Sequence, residues 1–108
     1  ETDCEIRGEV MVLDNKRRGM VLRIIKEALH NAMKHANASH VEVQLNFEGG
    51  RLFLTISDNG VGFDMATVYP KSNGLQNITN RCGLLNAACC IDSKYGEGTR
   101  IRIDLPVQ

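Results

Sequence analysis

The 108-residue chain carries no excess of charge: thirteen Lys and Arg balance thirteen Asp and Glu. Without a long run of one sign it lacks the electrostatic footprint of a general nucleic-acid binder. Lys16-Arg17-Arg18 is the one basic cluster. It reads as a solvated helix start, with a phosphate or partner contact as the alternative. No apolar run approaches the ~20 residues that cross a bilayer. Cysteines stand at positions 4, 82, 89 and 90, without any C-x-x-C pair, and the vicinal Cys89-Cys90 suits a tetrahedral metal site poorly. No secretory leader is in view, so the thiols are expected to be reduced and mostly buried, in a reducing compartment. Repeats and low-complexity tracts are missing too. The length fits one domain with a modest core. Glu1 is not an initiator methionine, so a longer parent protein is expected, with room in it for a membrane or sensor segment.

The elements follow from periodicity. A short strand is expected at 4–8, then a helix from about 16 to 36 capped by Asp14 or Asn15. The three cations oppose the helix dipole, which predicts that the regular helix begins nearer Gly19. Val21, Ile25, Ala28, Leu29, Ala32 and Ala36 form the expected buried stripe. Residues 40–48 alternate apolar and polar, turn at Glu48-Gly49-Gly50 and return as 51–57, an antiparallel hairpin. Residues 65–73 are irregular and contain Pro70. A helix over 75–85 is opened by Asn73-Gly74, and a second hairpin joins 89–93 to 99–105. The order β-α-β-β-α-β-β predicts an α+β fold: a mixed, largely antiparallel sheet with its helices on one face.

Two groups of residues could carry chemistry. Glu27, Asn31, Lys34 and His35 recur at helical steps on a face distinct from the apolar stripe. A carboxylate one turn from an amide oxygen offers hard ligands suited to Mg²⁺, and a nearby lysine can meet a phosphate. A solvated helix face with a Glu-Lys neighbour has the same spacing. Asp58-Asn59-Gly60-Val61-Gly62 closes the second strand. One acid at a strand end with two glycines beyond it lets a flat ligand approach closely, yet Asp-Asn-Gly is also a common turn.

Glu27-Ala-Leu-His-Asn31-Ala-Met-Lys34-His35-Ala36 resembles the N box of histidine kinases, and the Asp58 run resembles their first glycine box. Asn73-Gly74-Leu75-Gln76-Asn77 with Arg81 resembles the second glycine box of the nitrate-sensor and thermosensor subclass, and Gly96-Glu97-Gly98-Thr99 the last. Together these look like the ATP-binding catalytic domain of a sensor histidine kinase, over roughly 8–106. The wider superfamily includes DNA gyrase, large heat-shock chaperones and mismatch-repair ATPases.

The resemblance implies a two-layer α/β sandwich of the Bergerat type, and Mg-ATP as ligand. Asn31 would coordinate Mg²⁺, and Glu27 would arrange metal-bound water or polarise the nucleophile, making these two the catalytic residues. Lys34 would contact phosphate and His35 would line the same side, a packed, hydrogen-bonded histidine being the alternative. Asp58 would accept from the adenine amino group, with Thr99 assisting through water, while Gly60 and Gly62 admit the base. Gly74 and Leu75 would open a helix whose N–H groups face the phosphates. A short ATP lid between Gly62 and Gly74, without a phenylalanine box, fits the subclass.

Two departures stand out. Relatives often carry Gly-Gly before the penultimate strand, where this chain has Asn86-Ala87-Ala88. The phosphoacceptor helix is absent, since His30, His35 and His40 all lie within the catalytic motifs' domain. The expectation is therefore a kinase domain, residues 1–108, that transfers the γ-phosphate to a histidine on a separate dimerisation domain, with a response regulator downstream. It would be cytoplasmic and make no nucleic-acid or membrane contact itself, in a parent protein open to membrane anchoring. An anti-sigma-factor serine kinase of the same fold and a non-catalytic nucleotide-binding or interaction domain are the alternatives.

Overall fold

Among the described residues, five strands and two helices run in the expected order. They are β1 (Thr2–Gly8), α1 (Asn15–Lys34), β2 (Val41–Glu48), β3 (Arg51–Asp58), α2 (Asn73–Leu84), β4 (Ala88–Lys94) and β5 (Gly98–Pro106). The structure is a computed structural model, and it describes residues 2–8, 12–34, 38–62, 73–94 and 96–107. Residues 65–72 of the expected irregular segment, Pro70 among them, and His35 and Ala36 lie outside the described residues, whereas Asn73 already begins α2.

The sheet order is β1-β2-β3-β5-β4. β1 pairs with β2 in parallel, and the other three pairings are antiparallel. Alternation sorts the sheet into two faces. Val41, Val43, Phe47, Leu52, Leu54, Ile56, Ile101, Ile103 and Leu105 are buried on the inner one. The outer face carries Glu42, Gln44, Thr55 and Ser57, and ion pairs join Arg51 to Asp104 and Arg102 to Asp92 there. Val21, Ile24, Ala28 and Ala32 of α1, with Ile78 and Cys82 of α2, are buried against the inner face. Each fully buried Ile or Leu contributes about 1.5–3 kcal/mol of apolar burial. The expected stripe on α1 is thus rotated slightly: Ile24, 0% exposed, is its centre, while Ile25 and Leu29 are only partly buried.

α1 begins at Asn15, four residues earlier than Gly19. The cations do not delay it, because Asp14 answers them. Its Oδ1 accepts the Arg17 backbone N–H at 2.8 Å, and its Oδ2 pairs with the Arg17 guanidinium. These contacts, the backbone bond first, hold the Asp14 carboxyl below its ordinary value. Arg17 also donates through Nε to the Pro106 carbonyl at 3.0 Å, which anchors the start of α1 beside the end of β5.

The departure at Asn86 is resolved by a left-handed residue that is not glycine. Asn86 has φ 56°, Ala87 N–H reaches the Cys82 carbonyl at 2.9 Å and Asn86 N–H reaches that of Gly83 at 3.2 Å. This is a Schellman C-cap, and asparagine tolerates the left-handed position better than most residues. It turns the chain from α2 into β4 within three residues, so α2 runs back antiparallel to β4.

Candidate functional site

The two described helices each aim one terminus at the same end of the strands. α1 starts near Pro106, which pairs with Arg51, and so runs toward the opposite end, where Asp58 pairs with Thr99. α2 ends beside Ala88, which pairs with Asp104, so its N-terminus is aimed at the same far end. Glu27, Asn31, Asp58, Thr99 and the first turn of α2 thereby share one end of the fold.

Asp58 is half-buried on the inner face, between Val41 and Thr99 in register. Its Oδ1 accepts the Gly60 backbone N–H at 2.9 Å, an Asx turn that orients the carboxylate. Asn59 clamps the same turn to the entry of β2. Its Oδ1 accepts the N–H groups of Ser39 and His40 at 3.0 and 2.9 Å, and its Nδ2 donates to Ser39 Oγ at 2.9 Å. One acid is thus held by the turn that follows it, while its Oδ2 is committed to no described residue.

The glycines near Asp58 answer to the protein's own backbone. Gly62 has φ +70°, and a Cβ there would lie 2.0 Å from the Lys94 carbonyl oxygen. The fold itself therefore requires glycine at 62, since the loop is laid directly on the β4–β5 turn. Gly96 N–H donates to the Val61 carbonyl at 2.7 Å and fastens the two segments. Gly98, at φ +79°, would place a Cβ 2.1 Å from the Asp58 carbonyl oxygen. It backs the acid directly. Its signal stood in the Gly-Glu-Gly-Thr run, although Thr99 alone was singled out from that run as a site residue.

Thr99 shares a hydrogen bond of 2.8 Å with Ser93 Oγ, and Ser93 Oγ reaches the Gly98 carbonyl at 3.1 Å. With the Ser93 proton on Gly98, Thr99 donates to Ser93 and keeps its lone pairs for a ligand donor. Ser93 was not anticipated; its inward position on β4, opposite Thr99, is what reveals it. A hollow of about 440 Å³ touches Asp58, Ser93 and Thr99. Its lining also takes in Ser57, Asp92 and Arg100 of the outer face, so it wraps the sheet end rather than marking a cleft beneath the helices.

On α1, Glu27 and Asn31 are both half-buried and one turn apart. Asn31 Nδ2 is buried and has no hydrogen-bond partner. A buried amide without a partner costs about 1–3 kcal/mol, so such a group in a polar site points to a missing ligand. Lys34 closes α1, and His35 lies outside the described residues. Gly74 is in the first turn of α2. Leu75 beside it is 3% exposed, so its route to a ligand is through its backbone.

The profile of the histidine kinase-, DNA gyrase B- and HSP90-like ATPases matches residues 17–108. The chain belongs to this family. It is 39% identical over 102 residues to an uncharacterized sensor-like histidine kinase of Chloroflexus aurantiacus, covering 89% of this chain and 17% of that protein. It is 35% identical over 96 residues to the oxygen sensor histidine kinase NreB of Staphylococcus carnosus, covering 87% and 27%. With the signal transduction histidine-protein kinase/phosphatase DegS of Bacillus subtilis it shares 37% identity over 90 residues, covering 81% and 23%. The fold matches the histidine kinase domain of the blue-light-activated kinase of Erythrobacter litoralis at a TM-score of 0.76, with 23% identity, over 98% of this chain and 55% of that one. It matches Acinetobacter baumannii AdeS at 0.75, with 14% identity, over 99% and 55%. The α+β sandwich is therefore that of the kinase ATP-binding catalytic domain. The chain spans about a fifth of the length of these curated relatives.

Proposed function

We propose that this domain binds Mg-ATP at the shared end of α1, α2 and the sheet and hands the γ-phosphate to a histidine on a separate dimerisation domain of its parent protein. The unpartnered Nδ2 of Asn31, buried on the helix that ends at the Asp58 end of the sheet, carries this reading, because a donor there calls for an acceptor such as a phosphate oxygen and leaves Oδ1 for a metal ion. Asp58 and Thr99 are the adenine contacts, and Lys34 with the first N–H groups of α2, at Gly74 and Leu75, meets the phosphates. Asn31 is the protein's ligand to Mg²⁺, and its amide fits that role because phosphate oxygens and water complete such a shell. Bound there, the ion would neutralise phosphate charge. Glu27, one turn away, orients the acceptor. Among the described residues no group of three or more His, Cys, Asp or Glu forms a metal cage. No described helix is long and apolar enough to cross a membrane.

The test supplies the purified chain with labelled ATP, with and without Mg²⁺, beside an acceptor domain from the parent protein. Mg²⁺-dependent, acid-labile phosphohistidine on the acceptor is expected, and none on the chain itself. Asn31→Ala should abolish most of the transfer and the Mg²⁺ enhancement of binding, while metal-free ADP affinity stays near that of the parent. Acid-stable phosphoserine on another protein, or no transfer with binding intact, would replace this reading with the serine-kinase or the non-catalytic one.

A further inference from the structure

Cys82 and Cys89 meet in the core although they lie on different elements. Cys82 is 1% exposed on the inward side of α2, and Cys89, half-buried, faces inward from β4 opposite Ile103. The Schellman turn at 82–87 folds one back over the other. Both belong to the same packed cluster, and both are free thiols. Ala87 N–H bonds to the Cys82 carbonyl at 2.9 Å, and Cys89 follows two residues later, inward on β4, so the turn brings the two thiols side by side; their interaction lowers the Cys89 thiol from its ordinary value and, with burial, raises that of Cys82. Neither other cysteine can compete. Cys90 points to the outer face, where Arg102 lies 3.6 Å from its sulfur, and Cys4 is on β1 at the opposite edge of the sheet.

We propose that Cys82 and Cys89 form a peroxide-sensitive dithiol that closes reversibly into an intradomain disulfide between α2 and β4. Cys89 is the attacked thiol, being the more accessible of the two. Its sulfur displaces water from hydrogen peroxide: the O–O bond breaks and Cys89 becomes a sulfenic acid. The Cys82 sulfur then attacks that sulfur; an S–S bond forms, and the hydroxyl leaves as water with the Cys82 proton. Two electrons pass from the two thiols to the peroxide, giving two waters in all. An external thiol reverses the bond through a mixed disulfide. Such a bond in a reducing compartment is transient by nature, which suits a sensor rather than a staple. It would tie the last turn of α2 to the edge strand of the sheet.

The test uses the chain with Cys4→Ser and Cys90→Ser, which leaves the two core thiols. Treated with hydrogen peroxide while folded, it should lose both thiols to titration and about 2 Da in mass, stay monomeric, and recover fully with dithiothreitol. Peptide mapping should link Cys82 to Cys89. In the same background Cys82→Ser should leave Cys89 as a sulfenic acid that dimedone captures. If Cys82→Ser does not fold, Cys82→Ala serves the same purpose, and the mass result on the two-thiol chain stands independently. Two thiols still titrating after peroxide, a gain of oxygens instead of the loss of mass, or a disulfide dimer would each overturn the proposal.

Discussion

Gly98→Ala tests whether the last glycine box exists to hold Asp58. The added Cβ would sit 2.1 Å from the Asp58 carbonyl oxygen and 3.1 Å from its carbon, both backbone atoms of a paired strand that cannot swing aside. Alanine at positive φ costs about 1–2 kcal/mol. Relieving an overlap of this kind in a packed region adds about 1–3 kcal/mol. A total of about 2–5 kcal/mol is a large share of the 5–15 kcal/mol typical of a domain, yet leaves it folded. Gly96→Ala is the matched control: φ is +81°, but nothing lies within 4 Å of its Cβ, so only the conformational cost of about 1–2 kcal/mol remains. Urea unfolding of both variants measures the difference. Calorimetric titration with ADP asks whether the site moves, with about a tenfold loss, 1.4 kcal/mol, expected for Gly98→Ala and little change for Gly96→Ala. Equal destabilisation of the two would refute the steric argument. A larger loss of stability with unchanged ADP affinity would uncouple Gly98 from the site.

Asp58→Asn should weaken ADP binding by about tenfold to a hundredfold, ~1.5–3 kcal/mol, and narrow the preference over GDP, because an amide can present a donor or an acceptor; parallel titrations with the two nucleotides check both effects. Ile24→Ala, at the fully buried centre of α1, should lower unfolding free energy by about 2–5 kcal/mol in urea. Asp14→Ala should lower the urea midpoint at neutral pH. Because the folded-state pKa of Asp14 is depressed, its contribution is complete above the unfolded carboxylate value of about 3.9 and is lost as pH falls through the folded value. A deficit that stayed constant down to acid pH would show that the carboxylate charge is not what caps α1.

The elements and most of the candidate site were legible in the chain because both rest on local chemistry. Two-residue alternation over 41–48 and 51–58 can bury only one face, and the Gly49-Gly50 turn pairs Glu48 with Arg51, which sets the register. The boxes around Asn31, Asp58 and Thr99 are contiguous motifs, so their resemblance to those of histidine kinases is carried by the sequence itself. Other features needed the third dimension. Composition placed three cations against the dipole of α1, but the distance from Arg17 to Asp14 and Pro106 decided that the helix starts at Asn15. The sequence around Gly62 does not show that a Cβ there would meet the Lys94 carbonyl at 2.0 Å, a limit set by how the fold lays the two backbones together. Ser93 acquires its partner Thr99 only across the β4–β5 pairing, and Cys89 meets Cys82 only because a left-handed Asn86 folds α2 back over the strand. The difference is physical: periodicity and turn chemistry act among near neighbours, whereas a steric limit or a thiol contact depends on which backbone the tertiary fold lays alongside.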